Sequence, residues 1–133
     1  MPPYPWHFGG QGFHNQFTSA ENIMKIIKMT RRDLELCLDV SHSFMWCNHK
    51  GSSLSEFIHE ISPKVSHIHI SDAAGESEEG LQVGEGDLNF SEILQAISSL
   101  PSDTTLLPEI WQGHDNDGQG FKIALNRLSE LGY

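Results

Sequence analysis

Three stretches of this chain share one pattern: aliphatic residues alternate with other side chains, and near the C-terminal end the non-aliphatic face carries a carboxylate or an imidazole. In LELCLD, residues 34–39, Leu34, Leu36 and Leu38 face one side while Glu35, Cys37 and Asp39 face the other. In VSHIHI, residues 65–70, Ile68 and Ile70 share a face and Val65, His67 and His69 oppose them. Residues 104–110 set Leu106 and Ile110 against Thr105, Leu107 and Glu109. Each stretch is a predicted strand.

Helical signals separate the strands. Thr18 and Glu21 have capping-box spacing, and Ile23, Ile26, Ile27 and Thr30 follow at helical intervals to about residue 31. After a loop through Trp46 and Gly51, Ser53 and Glu56 open a second helix with a stripe of Leu54, Phe57, Ile58 and Ile61, which Pro63 ends. A long loop rich in Gly and acidic residues then leads to Asn89 and Glu92, which cap a helix carrying Phe90, Ile93, Leu94, Ile97 and Leu100. A last helix over about 120–131 buries Phe121, Leu125 and Leu128 and stops at Gly132. Residues 1–17 have no period and are expected as an irregular loop. Strands alternating with helices predict an α/β fold with a parallel sheet, in one domain over residues 1–133.

A formal charge of −10, with eight Lys and Arg against eighteen Asp and Glu, argues against nucleic acid as a partner. Lys25, Lys28, Arg31 and Arg32 are the sole basic group and have the spacing of a solvated helix face. No apolar run is long enough for a membrane span, and the N-terminus lacks the pattern of a secretory signal, so a cytoplasmic location is the expectation. Cys37 and Cys47 are expected as free thiols.

In parallel α/β folds the loops after strand C-termini carry the chemistry. Taken singly, Asp39 could cap a loop, His69 could be a satisfied core histidine and Glu109 could pair with a lysine. Taken together, two carboxylates and an imidazole aimed at one point call for a cation, and their mixed O and N donors suit Mn²⁺, Mg²⁺, Co²⁺ or Zn²⁺. His42, three residues past Asp39, is within reach as a substrate partner or an extra ligand. His67, below His69, is expected to support or pack. His59 is expected on a solvated helix face, and His7, His14, His49 and His114 in loops. Trp6, Phe13, Trp46 and Trp111 are candidates to wall a sugar pocket, although core packing is the commoner role of such rings.

The segments LCLDVSH, VSHIHISDAAG, EGLQVGEGDLNF and LLPEIW, in that order and spacing, resemble the xylose-isomerase-like and endonuclease-IV-like TIM barrels. The resemblance spans about 34–133 and implies part of a (β/α)8 barrel, with about three of its eight parallel strands. It implies Asp39, His69 and Glu109 as three of four metal ligands and His42 as the histidine of a DxxH element. The fourth ligand, a glutamate, precedes a segment like PPYPWHFGG, so the chain is expected to begin just past it. The implied activity is metal-dependent isomerisation or epimerisation of a small sugar or sugar phosphate, with Glu109 moving a proton through an enediolate. The GEGDLNF loop resembles members of surface-sugar pathways, some attached to sialic-acid-synthase-like enzymes. Completion by a missing N-terminal half-barrel or by a second copy is expected, and a catalytically incomplete oligomerising or accessory domain is the alternative. An apurinic-site endonuclease fits poorly, because Glu78 and Gly80 stand where that branch has an Asp-x-His zinc pair.

Overall fold

The computed structural model describes residues 6–8, 11–13, 17–30 and 32–133, the first two segments as backbone alone. Within the segment expected as irregular loop, β1 (Trp6–Phe8) and β2 (Gln11–Phe13) pair antiparallel, with Trp6 opposite Phe13. Three parallel strands form the central sheet in the order β3 (Leu36–Asp39), β4 (Val65–Ile70) and β7 (Thr105–Pro108). The predicted α/β alternation is therefore present.

Register sets which side chains share a row. Cys37 pairs with His67 and Asp39 with His69 across β3–β4, while His67 pairs with Thr105 and His69 with Leu107 across β4–β7. One face of the sheet thus carries a row of Cys37, His67 and Thr105, and next to it a row of Asp39, His69 and Leu107. The opposite face is core: Leu36, Leu38, Ile68 and Ile70 are buried, and burying each such chain contributes about 1.5–3 kcal/mol. Val65 departs from its expected face. A register irregularity between Leu36 and Cys37 makes Ser66 an extra residue, so Val65 pairs with Leu36 and is buried. Leu34 lies outside the strand and is exposed. The third strand is shorter than expected, ending at Pro108, although Glu109 N–H still donates to Ile70 O at 2.9 Å.

Helix α1 (Ala20–Thr30) is capped by Ser19, not Thr18, with Asn22 N–H donating to Ser19 Oγ at 3.3 Å. The expected loop through Trp46 is a helix, α2 (Val40–Lys50), because Asp39 serves as its N-cap and accepts from His42 N–H at 3.0 Å. A turn of helix therefore starts directly at the strand end, which fixes His42 over Asp39. Helix α3 (Leu54–Ile61) begins at the predicted Ser53 cap, where Glu56 N–H donates to Ser53 Oγ at 3.2 Å. Helix α4 (Phe90–Ile97) begins at the predicted Asn89 cap. Both bury their predicted stripes, with Phe57 and Leu94 partly covered, and α3 packs on α1, α2 and α4.

The long acidic loop contains a hairpin, β5 (Asp72–Ala74) and β6 (Glu78–Leu81), and one buried carboxylate holds the rest of it. Asp72 Oδ1 accepts from Ala73 N–H at 2.8 Å and Leu88 N–H at 3.1 Å, and Oδ2 from Gly84 N–H at 3.0 Å and Gly86 N–H at 2.9 Å. Four donors on two oxygens leave the loop little freedom. Gly86 is required there, since a Cβ would stand 2.4 Å from Ala73 O. Helix α5 (Asp115–Glu130) opens with a left-handed run at Asn116, Asp117 and Gly118, residue types that tolerate positive φ. It buries Ala124 and Leu128, whereas Leu125, expected inside, is 51 % exposed. Among the described residues no helix is long and apolar enough to cross a membrane.

Candidate functional site

The parallel register brings three strand ends to one place. Asp39, His69 and Glu109 each offer a donor atom, and these atoms lie within 4.8 Å of one another. Bonds of about 2.0–2.2 Å to a first-row divalent ion would hold donors at most about 4.4 Å apart, so the cluster is within a few tenths of an ångström of closing on one. The donor set, two carboxylates and one imidazole, fits such an ion.

Each of the three also has protein partners. Asp39 caps α2, accepts from Ser41 Oγ at 3.3 Å, and lies 2.6 Å from His42 Nδ1 through Oδ2. Burial would raise its carboxyl pKa, but the hydrogen bonds from the ring and backbone N–H of His42 take it below the ordinary value. Glu109 pairs with His69, whose Nδ1 is 2.9 Å from Oε2, rather than with a lysine.

His42 lies between two carboxylates, with Nδ1 on Asp39 and Nε2 2.5 Å from Glu79 Oε2. Burial pushes its pKa down, but Asp39, assisted by Glu79, outweighs burial and raises it. Only the imidazolium can donate to both carboxylates at once.

Beside these groups is a cleft of about 360 Å³ lined by Ser41, His42, Ser71, Glu79, Gly80, Glu109, Ile110, Trp111, Gln112 and His114. Trp111, 74 % exposed, lines it and is tied by its backbone N–H to Gly80 O at 2.7 Å. Gly80 permits that approach: at φ 68° it would strain any side chain, and a Cβ would stand 3.3 Å from Trp111 N. Gln112 reaches the rim with φ 55°, a conformation that costs a non-glycine residue about 1–3 kcal/mol.

Of the expected ring walls, Trp111 lines this cleft and Trp46 does not. Trp46 packs on the core and on a second cleft of about 200 Å³ with Asp39 and His42, and Lys50 Nζ sits 4.7 Å over its ring. The side chains of Trp6 and Phe13 lie outside the described residues, as do those of His7 and His14. His67 holds Thr105 Oγ1 at 2.6 Å from its Nδ1, and His59 is exposed as expected. His49 pairs with Glu76 at 2.9 Å. Glu79, Ser41, Ser71, Gln112 and His114 are cleft residues that the sequence alone did not single out.

The xylose isomerase-like TIM barrel profile matches residues 1–131. Two uncharacterized proteins of Methanocaldococcus jannaschii match, one 39 % identical over 59 residues and the other 29 % over 86, which are 44 % and 64 % of this chain but 21 % and 29 % of those proteins. Among solved structures, a D-tagatose 3-epimerase-like protein superposes with TM-score 0.73 at 20 % identity, over 98 % of this chain and 44 % of that one. An L-ribulose 3-epimerase does so at 0.66 and 19 %, over 92 % and 44 %. The IolI protein, crystallised with a zinc atom, gives 0.65 at 17 %, over 86 % and 43 %. The chain therefore spans less than half the length of the structures it matches.

Proposed function

The chain belongs to the xylose isomerase-like TIM barrel family, and on that premise we propose that its three strand ends form the metal-holding and proton-transferring part of a sugar isomerase or epimerase site. The observation that carries this reading is the convergence of donor atoms from Asp39, His69 and Glu109 within 4.8 Å beside a cleft large enough for a monosaccharide. Asp39, His69 and Glu109 would hold the ion, which when bound supplies Lewis-acid polarisation of a substrate carbonyl and hydroxyl.

The chain's own groups supply the rest. Glu109, at the cleft wall, removes or returns the proton on the carbon next to the carbonyl. His42, kept in place by Nδ1 on Asp39, binds and orients a substrate hydroxyl through Nε2, which the substrate takes over from Glu79. The face of Trp111 receives the C–H side of the sugar ring while Ser41, Ser71 and Gln112 offer hydrogen bonds to its hydroxyls. A surface-sugar substrate of the sialic-acid type is the finer reading, supported by the likeness of the GEGDLNF loop.

Calorimetric titration of the full chain with Mn²⁺ tests the site: Glu109→Gln is expected to weaken binding at least about tenfold. Equal affinity in both proteins would remove Glu109 from the ligand set. Incubation with ketose sugars and Mn²⁺ in deuterium oxide tests the chemistry, with deuterium expected beside the carbonyl and a loss of roughly 10²–10⁴-fold in Glu109→Gln.

A second reading, an oligomerising or accessory domain, draws on the sheet edges. Among the described residues β3 and β7 each pair on one side alone, and Leu107 on β7 is 50 % exposed. Unpaired edges recruit partners. Light scattering after size exclusion, with and without Mn²⁺, distinguishes the readings, since a species that binds Mn²⁺, monomer or dimer, fits the first and a metal-free dimer the second.

A further inference from the structure

Directly beneath the row that holds Asp39 and His69 lies a second donor set of different chemistry. Cys37, His67 and His69 each offer an atom, and these too lie within 4.8 Å of one another. Cys37 and His67 are cross-strand partners in the β3–β4 register, and the rings of His67 and His69 stand edge to face with centroids 5.1 Å apart.

Both histidines are oriented in the way metal-binding imidazoles are. Thr105 Oγ1 takes Nδ1 of His67 at 2.6 Å, and Glu109 Oε2 takes Nδ1 of His69 at 2.9 Å. An oxygen on Nδ1 fixes the tilt of each ring, and where Nδ1 carries the proton it leaves Nε2 to coordinate. Among the described residues neither Nε2 has a hydrogen-bond partner. Cys37 is a free, exposed cysteine on the same open sheet face.

We infer that Cys37, His67 and His69 form a second metal site, selective for a thiophilic divalent ion of the zinc class, which competes with the Asp39–His69–Glu109 site for their shared histidine. One thiolate and two imidazoles with a solvent molecule make a tetrahedral set suited to Zn²⁺ or Co²⁺, and a poor one for Mn²⁺ or Mg²⁺. On binding, the S–H bond of Cys37 breaks, its proton passes to solvent, and the sulfur lone pair forms the bond to the ion. No electron is transferred. Because His69 belongs to both sets and two dications one row apart repel, filling the lower site withdraws His69 from the upper. Zinc then acts as a brake on whatever the upper site does with a harder ion.

The test is a titration of the full, reduced chain with Co²⁺, followed by its near-ultraviolet sulfur-to-cobalt charge-transfer band. The band is expected in the wild type, in Cys47→Ser and in Asp39→Asn, and is expected to vanish in Cys37→Ser. His67→Gln, on a different strand, is expected to weaken it by at least about tenfold, and Thr105→Val by about the same through loss of orientation. Zn²⁺ is expected to displace bound Mn²⁺ from the wild type at lower concentrations than from Cys37→Ser. A wild-type titration without the band, or a band that survives Cys37→Ser, overturns the site. Asp39→Asn reports separately on the upper site, because loss of Mn²⁺ binding there leaves the band in place.

Discussion

The two faces of the same three strands are built for different work. On one, Leu36, Leu38, Ile68 and Ile70 are closed in by helices and contribute to the core. On the other, Cys37, Asp39, His67, His69 and Glu109 stand exposed or half-buried, with polar partners: His69 with Glu109, Asp39 with His42 and His67 with Thr105. Successive residues of β4 alternate between these faces, so neighbours in sequence belong to different economies of free energy. The difference teaches that stability and chemistry are separable here at single-residue resolution. Substitutions on the closed face should move folding, and substitutions on the open face should move ligand binding.

The largest effect is expected at Ile68, fully buried in the central strand. Ile68→Ala removes three carbons from a packed site and is expected to lower unfolding free energy by about 2–5 kcal/mol in a denaturant titration. A loss under about 1 kcal/mol would mean that the closed face is loosely packed. Next comes Asp72, whose two oxygens gather four backbone N–H groups. Asp72→Asn turns one acceptor into a donor facing donors, and about 1–3 kcal/mol is expected to be lost. Hydrogen exchange should rise at Gly84, Gly86 and Leu88, and exchange unchanged at those amides would show that the loop is held by something else. Ser53→Ala, removing the α3 cap, should cost about 1 kcal/mol and leave the open face untouched.

The closed face was legible in the sequence and the open face in part. Period-two alternation placed Leu36, Leu38, Ile68 and Ile70 correctly because burial enforces it on every second residue. The caps at Ser53 and Asn89 were legible because a side chain that satisfies an orphan N–H leaves a local signature. Helix α2 was not, since its cap is Asp39, a residue already read as a site group, and SFMWCNHK lacks a clean apolar stripe. Val65 was misplaced because a one-residue irregularity shifts phase without any mark in composition. Asp39, His69 and Glu109 were legible as strand-end residues, while Glu79 and His114 reach the cleft only through the hairpin and the turn after β7. Their placement depends on long-range contacts that a local pattern does not carry. Leu128 is buried as its helical spacing implies, yet the helix turns Ala124 inward in place of Leu125.

The smallest stability effect is expected one residue from the largest. His69→Gln keeps a side chain of similar reach whose amide can still donate to Glu109, and the ring it replaces is half-buried on the open face. Unfolding free energy is expected to change by less than about 0.5 kcal/mol, as for substitutions away from the core. Metal binding should change far more, because His69 is the one residue common to both donor sets. Mn²⁺ affinity and the cobalt charge-transfer band should weaken together, each by at least about tenfold, while Ile68→Ala should unfold the chain earlier yet leave the metal affinity of the folded fraction close to that of the wild type. If His69→Gln instead destabilised the chain as much as Ile68→Ala, the open face would be a second core and the division between the faces would fail. If it left both metals bound, the faces would still differ in burial, but the open one would owe its imidazoles to something other than coordination.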